Sequence, residues 1–232
     1  MARQRTKKTR PAPRHRPEAP RNPLDPGFEP ANKGRRYPPE VLTEEEVTAL
    51  IRACSRRAPT GIRNRAIIVV LWRAQLRVSE ALALTPKDLD GDRGTVRILH
   101  GKGDRTRTVG LDDGAVAILE KWLVKRRSLG FSGKGSRPLL CTLAGDRLDP
   151  SYVRRMLKRM AQRAGIAKRV HPHGLRHTGA SELRSEGIEI GVISKQLGHR
   201  SIATTSRYLD HINPKVVIET MRKRSWSAGS GR

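Results

Sequence analysis

Seven consecutive residues, Ala66-Ile67-Ile68-Val69-Val70-Leu71-Trp72, carry no charged or hydrogen-bonding group except the Trp72 indole N–H. A helix that is apolar on every side has no face to offer water and must be wrapped by other elements. A helix over residues 63–74 is therefore expected as the buried centre of the fold. The rest of the chain can only be arranged around it.

The neighbouring segments carry one-sided patterns suited to that task. Thr43-Glu44-Glu45-Glu46 reads as a capping box, with Thr43 accepting from a backbone N–H and Glu46 reaching back. Val47, Leu50, Ile51 and Cys54 then share one helical face. A short helix over residues 78–84 stops at Thr85-Pro86. The period then changes. Residues 95–99 and 105–109 read as strands joined by His100-Gly101-Lys102-Gly103-Asp104, whose glycines mark a tight hairpin. Helical spacing resumes over residues 113–127 and again over 151–164, where Val153, Met156, Leu157 and Met160 face one way and Arg154, Arg155, Lys158 and Arg159 the other. That basic face is either DNA-facing or an ordinary solvated face. Shorter helices are expected over 174–185, 191–197 and 201–208, and a last one from Asn213-Pro214, a good N-cap and N1 pair. The fold class is α+β, predominantly α-helical with a small antiparallel β-sheet.

Charge narrows the partner. The chain has 48 Lys+Arg against 22 Asp+Glu, a formal net charge of +26, which calls for a polyanion. Nucleic acid is favoured over an anionic membrane surface because the charge runs along the whole chain. No apolar run approaches the ~20 residues of a membrane span, and the N-terminus lacks the apolar stretch of a secretory signal. Residues 1–40 hold nine of the 15 prolines and little periodic apolar content, so they are expected to be a disordered basic arm that orders on DNA, or else a solubilising tail. Residues 41–224 form the folded domain and 225–232 a disordered tail. Cys54 and Cys141 are two lone thiols, which fits a reducing cytoplasm and excludes a disulfide scaffold or a Cys-rich zinc site.

Four clusters carry chemistry: Ala74-Gln75-Leu76-Arg77-Val78-Ser79-Glu80, the hairpin around Lys102, His171-Pro172-His173-Gly174-Leu175-Arg176-His177, and Leu197-Gly198-His199 followed nine residues later by Tyr208. Cutting a phosphodiester without a metal needs a nucleophile, cations on the non-bridging oxygens and an acid for the leaving oxygen. Arginine forks match phosphate oxygens in pairs, and a phenol can serve as nucleophile where cations favour its phenolate. Of the three tyrosines, Tyr37 sits beside two prolines, Tyr152 opens a helix where it packs or caps, and Tyr208 follows His199 by nine residues.

In this order the clusters resemble the motif set of the tyrosine recombinase (phage integrase) family: an arginine box, a lysine hairpin, an H-x-L-R-H box and a G-H…Y box. The resemblance implies a catalytic set of Arg77, Lys102, His173, Arg176, His199 and Tyr208. Arg77 and Arg176 would clamp the scissile phosphate, and Lys102 would be the general acid toward the 5′ oxygen. His199 would donate to a phosphate oxygen, His173 would help move the tyrosine proton, and Tyr208 would be the nucleophile. Glu80 would orient the arginine box and His177 would support it from within the fold. Arg105, Arg107, Arg154, Arg155, Lys158 and Arg159 are the expected DNA contacts. His171, His173 and His177 together suggest a metal cluster, but no HExxH motif or Cys pair accompanies them, so no metal and no cofactor are expected.

The implied function is site-specific recombination on double-stranded DNA through a 3′-phosphotyrosine intermediate. The implied assembly is a homo-tetramer on DNA from a free monomer, cytoplasmic and DNA-associated, with residues 214–222 either docking on a neighbouring protomer or packing on their own domain. The alternatives are a non-catalytic DNA-binding accessory protein on the same scaffold and a type IB topoisomerase-like activity. Two departures from the family pattern stand out. Gln75 occupies a position usually held by a small residue, commonly Gly. Residues 1–40 are also too short and Pro-rich to be the separate core-binding domain of most members. The chain is thus expected to resemble the small members that lack that domain, to use its arm instead, or to be a fragment.

Overall fold

The computed structural model describes residues 40–99, 106–131, 137–199, 201–209 and 222, with 207–209 described through their backbone. The fold opens with α1 (Glu44–Arg52), capped as its sequence requires: Glu46 N–H donates to Thr43 Oγ1 at 3.2 Å and Thr43 N–H to Glu46 Oε2 at 2.8 Å. The apolar run lies in α2 (Pro59–Trp72), and every residue from Ala66 to Trp72 is buried. This helix begins four residues earlier than its apolar content indicates. Pro59 pre-sets the first turn, and Gly61 packs so closely that a Cβ there would lie 2.3 Å from the Ser55 carbonyl oxygen.

Next come α3 (Val78–Ala83) and a three-stranded antiparallel sheet of β1 (Leu89–Asp90), β2 (Thr95–Ile98) and β3 (Arg107–Gly110), in that order. Val96 pairs with Val109 and Ile98 with Arg107. β1 was not expected; its two residues are a strand only because Leu89 and Asp90 pair with Val96 and Thr95. The segment that joins β2 to β3, with Lys102 and Arg105, lies outside the described residues, as do the arm and the helix expected from Asn213.

Four of the five remaining helices have bounds within two residues of expectation and caps to match. α4 (Asp113–Ser128) starts at Asp112, whose carboxylate accepts from Ala115 N–H at 2.9 Å. α5 (Pro150–Arg163) starts at Asp149, and α6 (Pro172–Ser185) at His171, whose Nδ1 accepts from Gly174 N–H at 3.0 Å. α7 (Ile190–Leu197) ends on Gly198 at φ 64°, and α8 (Ile202–Leu209) follows. Among the described residues no helix is long and apolar enough to cross a membrane.

The core gathers on α2. Trp122 of α4 is fully buried and donates its indole N–H to the Leu139 carbonyl at 2.7 Å. α5 packs through Val153, Met156 and Leu157, leaving Arg154, Arg155, Lys158 and Arg159 exposed. The Tyr152 phenol accepts from buried Arg63 and donates to Asn64 Oδ1 at 3.1 Å, so it packs α5 onto α2. α6 crosses the end of α2 at Gly179, where a Cβ would lie 2.1 Å from the Trp72 carbonyl oxygen, and Glu182 accepts the Trp72 indole N–H at 2.9 Å. α7 is tied to the edge strand β3: Gln196 accepts from Gly110 N–H and donates to Gly110 C=O, both at 3.0 Å. Cys54 and Cys141 are free and buried.

Candidate active site

Glu80 organises the site. It is the third residue of α3, and its carboxylate accepts from Arg77 N–H at 2.9 Å and Arg77 Nη1 at 2.8 Å. Arg107, at the start of β3, meets the same carboxylate with both terminal nitrogens at 3.0 and 2.8 Å, a fork-to-fork geometry that adds direction to strength. Arg176 Nη1, from α6, lies 3.9 Å from Glu80 Oε2. One carboxylate on α3 therefore holds guanidinium groups from three elements in one place. Burial opposes its ionisation, but the hydrogen bonds from Arg107 and Arg77 outweigh burial and bring its pKa down to about 2.

Arg176 is 2% exposed, and backbone carbonyls fix its fork. Its Nη1 donates to the Gln75 carbonyl, and its Nη2 donates to the Leu197 carbonyl at 2.6 Å. Gln75 can aim its carbonyl there because its backbone is left-handed, at φ 53°, a conformation uncommon for a side-chain-bearing residue. The strain of this turn is borne by Gln75 itself. Arg77 keeps 30% of its side chain exposed, which leaves it open to a ligand while Glu80 holds it.

The histidines close the site. His199 is half-buried, with Nε2 facing Arg176 Nη2 at 3.5 Å and Nδ1 2.9 Å from Thr205 Oγ1 on α8. Desolvation and the charges of Arg176, Arg77 and Arg107 lower its pKa to about 4, so the ring is neutral at pH 7. His173 is exposed on the first turn of α6; partial desolvation and then Arg176 and Arg77 lower its pKa as well. Its ring stacks on His171 at 6.4 Å between centroids. Arg77, Arg154, Arg169, His171, His173 and Arg176 line a cavity of about 300 Å³. Among the described residues three guanidinium groups meet one carboxylate at Glu80, so positive charge is in excess and the pocket suits an anion.

The expected residues divide into groups. Arg77, His173, Arg176 and His199 converge with Glu80. The backbone of Tyr208 lies in α8, one turn beyond Thr205, while Lys102 and Arg105 lie outside the described residues. His177 is buried in α6 at 2% exposure. Arg107, expected as a DNA contact, is instead committed to Glu80 with a side chain only 14% exposed, and it packs so tightly under Gly198 that a Cβ there would lie 2.6 Å from its Nε. Arg154 lines the central cavity, whereas Arg155, Lys158 and Arg159 flank Tyr152 on a separate groove. His171 is used as a helix cap, and among the described residues no group of three His, Cys, Asp or Glu is placed to hold a metal ion. Reading the sequence passed over Thr205. It lies within the G-H…Y box, but nothing in its spacing marks it.

The family model described as the phage integrase family matches residues 40–214. Tyrosine recombinase XerC of Thermodesulfovibrio yellowstonii is 35% identical over 82% of this chain and 64% of its own length. Tyrosine recombinase XerD of Ralstonia nicotianae is 36% identical over 73% of this chain and 55% of its own length. The chain thus spans less than two thirds of either relative. Among solved structures, that of XerA recombinase superposes with a TM-score of 0.70 at 33% identity, covering 85% of this chain and 70% of that one. The post-cleavage complex of XerH site-specific recombinase on a palindromic difH substrate gives 0.64 at 28% identity, covering 80% and 53%. The catalytic domain of bacteriophage HP1 integrase shares the fold, with a TM-score of 0.53 at 24% identity over 82% of this chain and 98% of that one.

Proposed function

The chain belongs to the phage integrase family, and on that premise we propose that it cuts and rejoins double-stranded DNA as a site-specific recombinase, with residues 41–224 as the catalytic domain. The observation that carries the reading is the convergence of Arg77, Arg176 and His199 around Glu80 with an excess of positive charge, beside the helix that bears Tyr208.

In the proposed reaction the scissile phosphate enters between Arg77 and Arg176, whose charges offset the charge that grows on its non-bridging oxygens. Tyr208 Oη attacks phosphorus, and its proton passes toward His173, whose pKa is lowered by burial and by Arg176 and Arg77. The bond from phosphorus to the 5′ oxygen breaks, and Lys102 protonates that oxygen. The products are a 3′-phosphotyrosine and a free 5′-hydroxyl. The phosphodiester is exchanged for another phosphate ester, so attack by a second 5′-hydroxyl reseals a strand without ATP. Two such exchanges through a Holliday junction, carried out by four protomers that are monomers before they meet DNA, give recombination in the cytoplasm. Arg154 extends the phosphate path from the pocket along α5.

A nicked suicide duplex, which loses a short fragment once cut, tests the reading. The wild type is expected to form a protein–DNA adduct that survives denaturation, equally in EDTA, and Tyr208→Phe none. An adduct in Tyr208→Phe refutes the nucleophile; no adduct with the wild type refutes the activity.

A further inference from the structure

We propose that Thr205 is a positioning residue for this reaction: it fixes the orientation and the protonated nitrogen of His199 and thereby links the helix of the nucleophile to the phosphate clamp. The inference rests on the catalytic reading above. Thr205 is wholly buried, with its hydroxyl oxygen 2.9 Å from His199 Nδ1. The other ring nitrogen, Nε2, faces Arg176 Nη2 at 3.5 Å. A guanidinium only donates, so the nitrogen turned toward it bears the lone pair. The single proton of the neutral ring is then on Nδ1 and is donated to Thr205 Oγ1.

This matters because His199 must change role when a phosphate arrives. In the resting site burial, and then the charges of Arg176, Arg77, Arg107 and His173, disfavour a charge on the ring. These groups belong to α6, α3 and β3, and the Glu80 carboxylate holds Arg77 and Arg107 among them. An incoming phosphate diester offsets that field, and the ring can take a second proton. Because Nδ1 already holds one and is tied to Thr205, the second goes to Nε2, on the side where the phosphate oxygens lie. Without the Thr205 oxygen the Nδ1 proton loses its acceptor and the ring is free to turn over; once Nε2 no longer faces Arg176 either nitrogen can carry the proton, and a donor at the clamp is no longer assured.

The same bond has a mechanical side. His199 follows the end of α7, whereas Thr205 belongs to α8, three residues before Tyr208 and so on nearly the same side of that helix. A hydrogen bond across the connection holds the start of the nucleophile helix against the clamp. Residues 201–204 are exposed, and Thr205 is the one buried residue among 201–206.

Thr205→Val keeps the shape and removes the acceptor, while Thr205→Ser keeps the acceptor and removes a methyl. Single-turnover cleavage of the suicide duplex is expected to slow about 100-fold in Thr205→Val and to stay within about 3-fold of wild type in Thr205→Ser, with DNA affinity changed less than about 3-fold in both. Nitrogen-15 NMR of His199 reads the tautomer without catalysis: Nδ1–H is expected in wild type and Thr205→Ser, and a mixture in Thr205→Val. Adduct formation by Thr205→Val at the wild-type rate overturns the proposal, as does an unchanged His199 tautomer in that variant. Failure of the wild type itself to form an adduct removes the catalytic premise, a different result.

Discussion

At the scale of single residues the site depends on one acid. The Glu80 side chain is 3% exposed and its pKa falls from 4.5 to about 2, so its stabilising effect is complete above pH 4.5 and lost as pH drops through 2. A shift of that size corresponds to about 3 kcal/mol. Glu80→Gln is expected to lower stability by about that amount at pH 7 and to flatten the fall in stability between pH 4.5 and 2. Denaturant titrations across that range check both; parallel curves for the two proteins would show that Glu80 does not carry the acid dependence. The arginines and histidines of this network were legible in the sequence because flanking residues form recognisable strings around them. Their arrangement was not. Arg107 lies 27 positions from Glu80, and nothing local says that a strand residue will reach a carboxylate on α3 rather than a phosphate outside.

Individual helices were legible where the signal is short-range. The Thr43 box and the apolar run of α2 both depend on residues within a turn or two. β1 escaped notice because two residues have no period, and the first turn of α2 because its N-cap Ala58 makes no side-chain hydrogen bond. Contacts between elements depend on fit, and α6 crosses α2 closely at Gly179. Gly179→Ala is expected to push α6 off the Trp72 carbonyl, lowering stability by about 3 kcal/mol and cleavage with it. Gly110→Ala, where a Cβ meets nothing within 4 Å, is the matched control, and thermal melts of the two variants distinguish a packing effect from a general cost of replacing glycine.

On the scale of the whole molecule, with a net charge of +26 the proposed binding to DNA is expected to weaken steeply with salt. The sequence left the outer face of α5 undecided between DNA and water, and the fold leaves Arg155, Lys158 and Arg159 exposed there. Replacing each with Ala is expected to reduce the slope of log affinity against log salt by about 1. Slopes measured by fluorescence anisotropy that match wild type would assign the face to solvent.

The amide of Gln196 has a consequence for how force moves through the protein. By bonding both polar groups of Gly110 it acts as an extra rung on an otherwise open strand edge. Twisting β3 must therefore turn the last coil of α7, two residues before Gly198 and three before His199. The strand leading from the lysine loop and the imidazole beside the clamp share one anchorage, so a tug on either is felt by both.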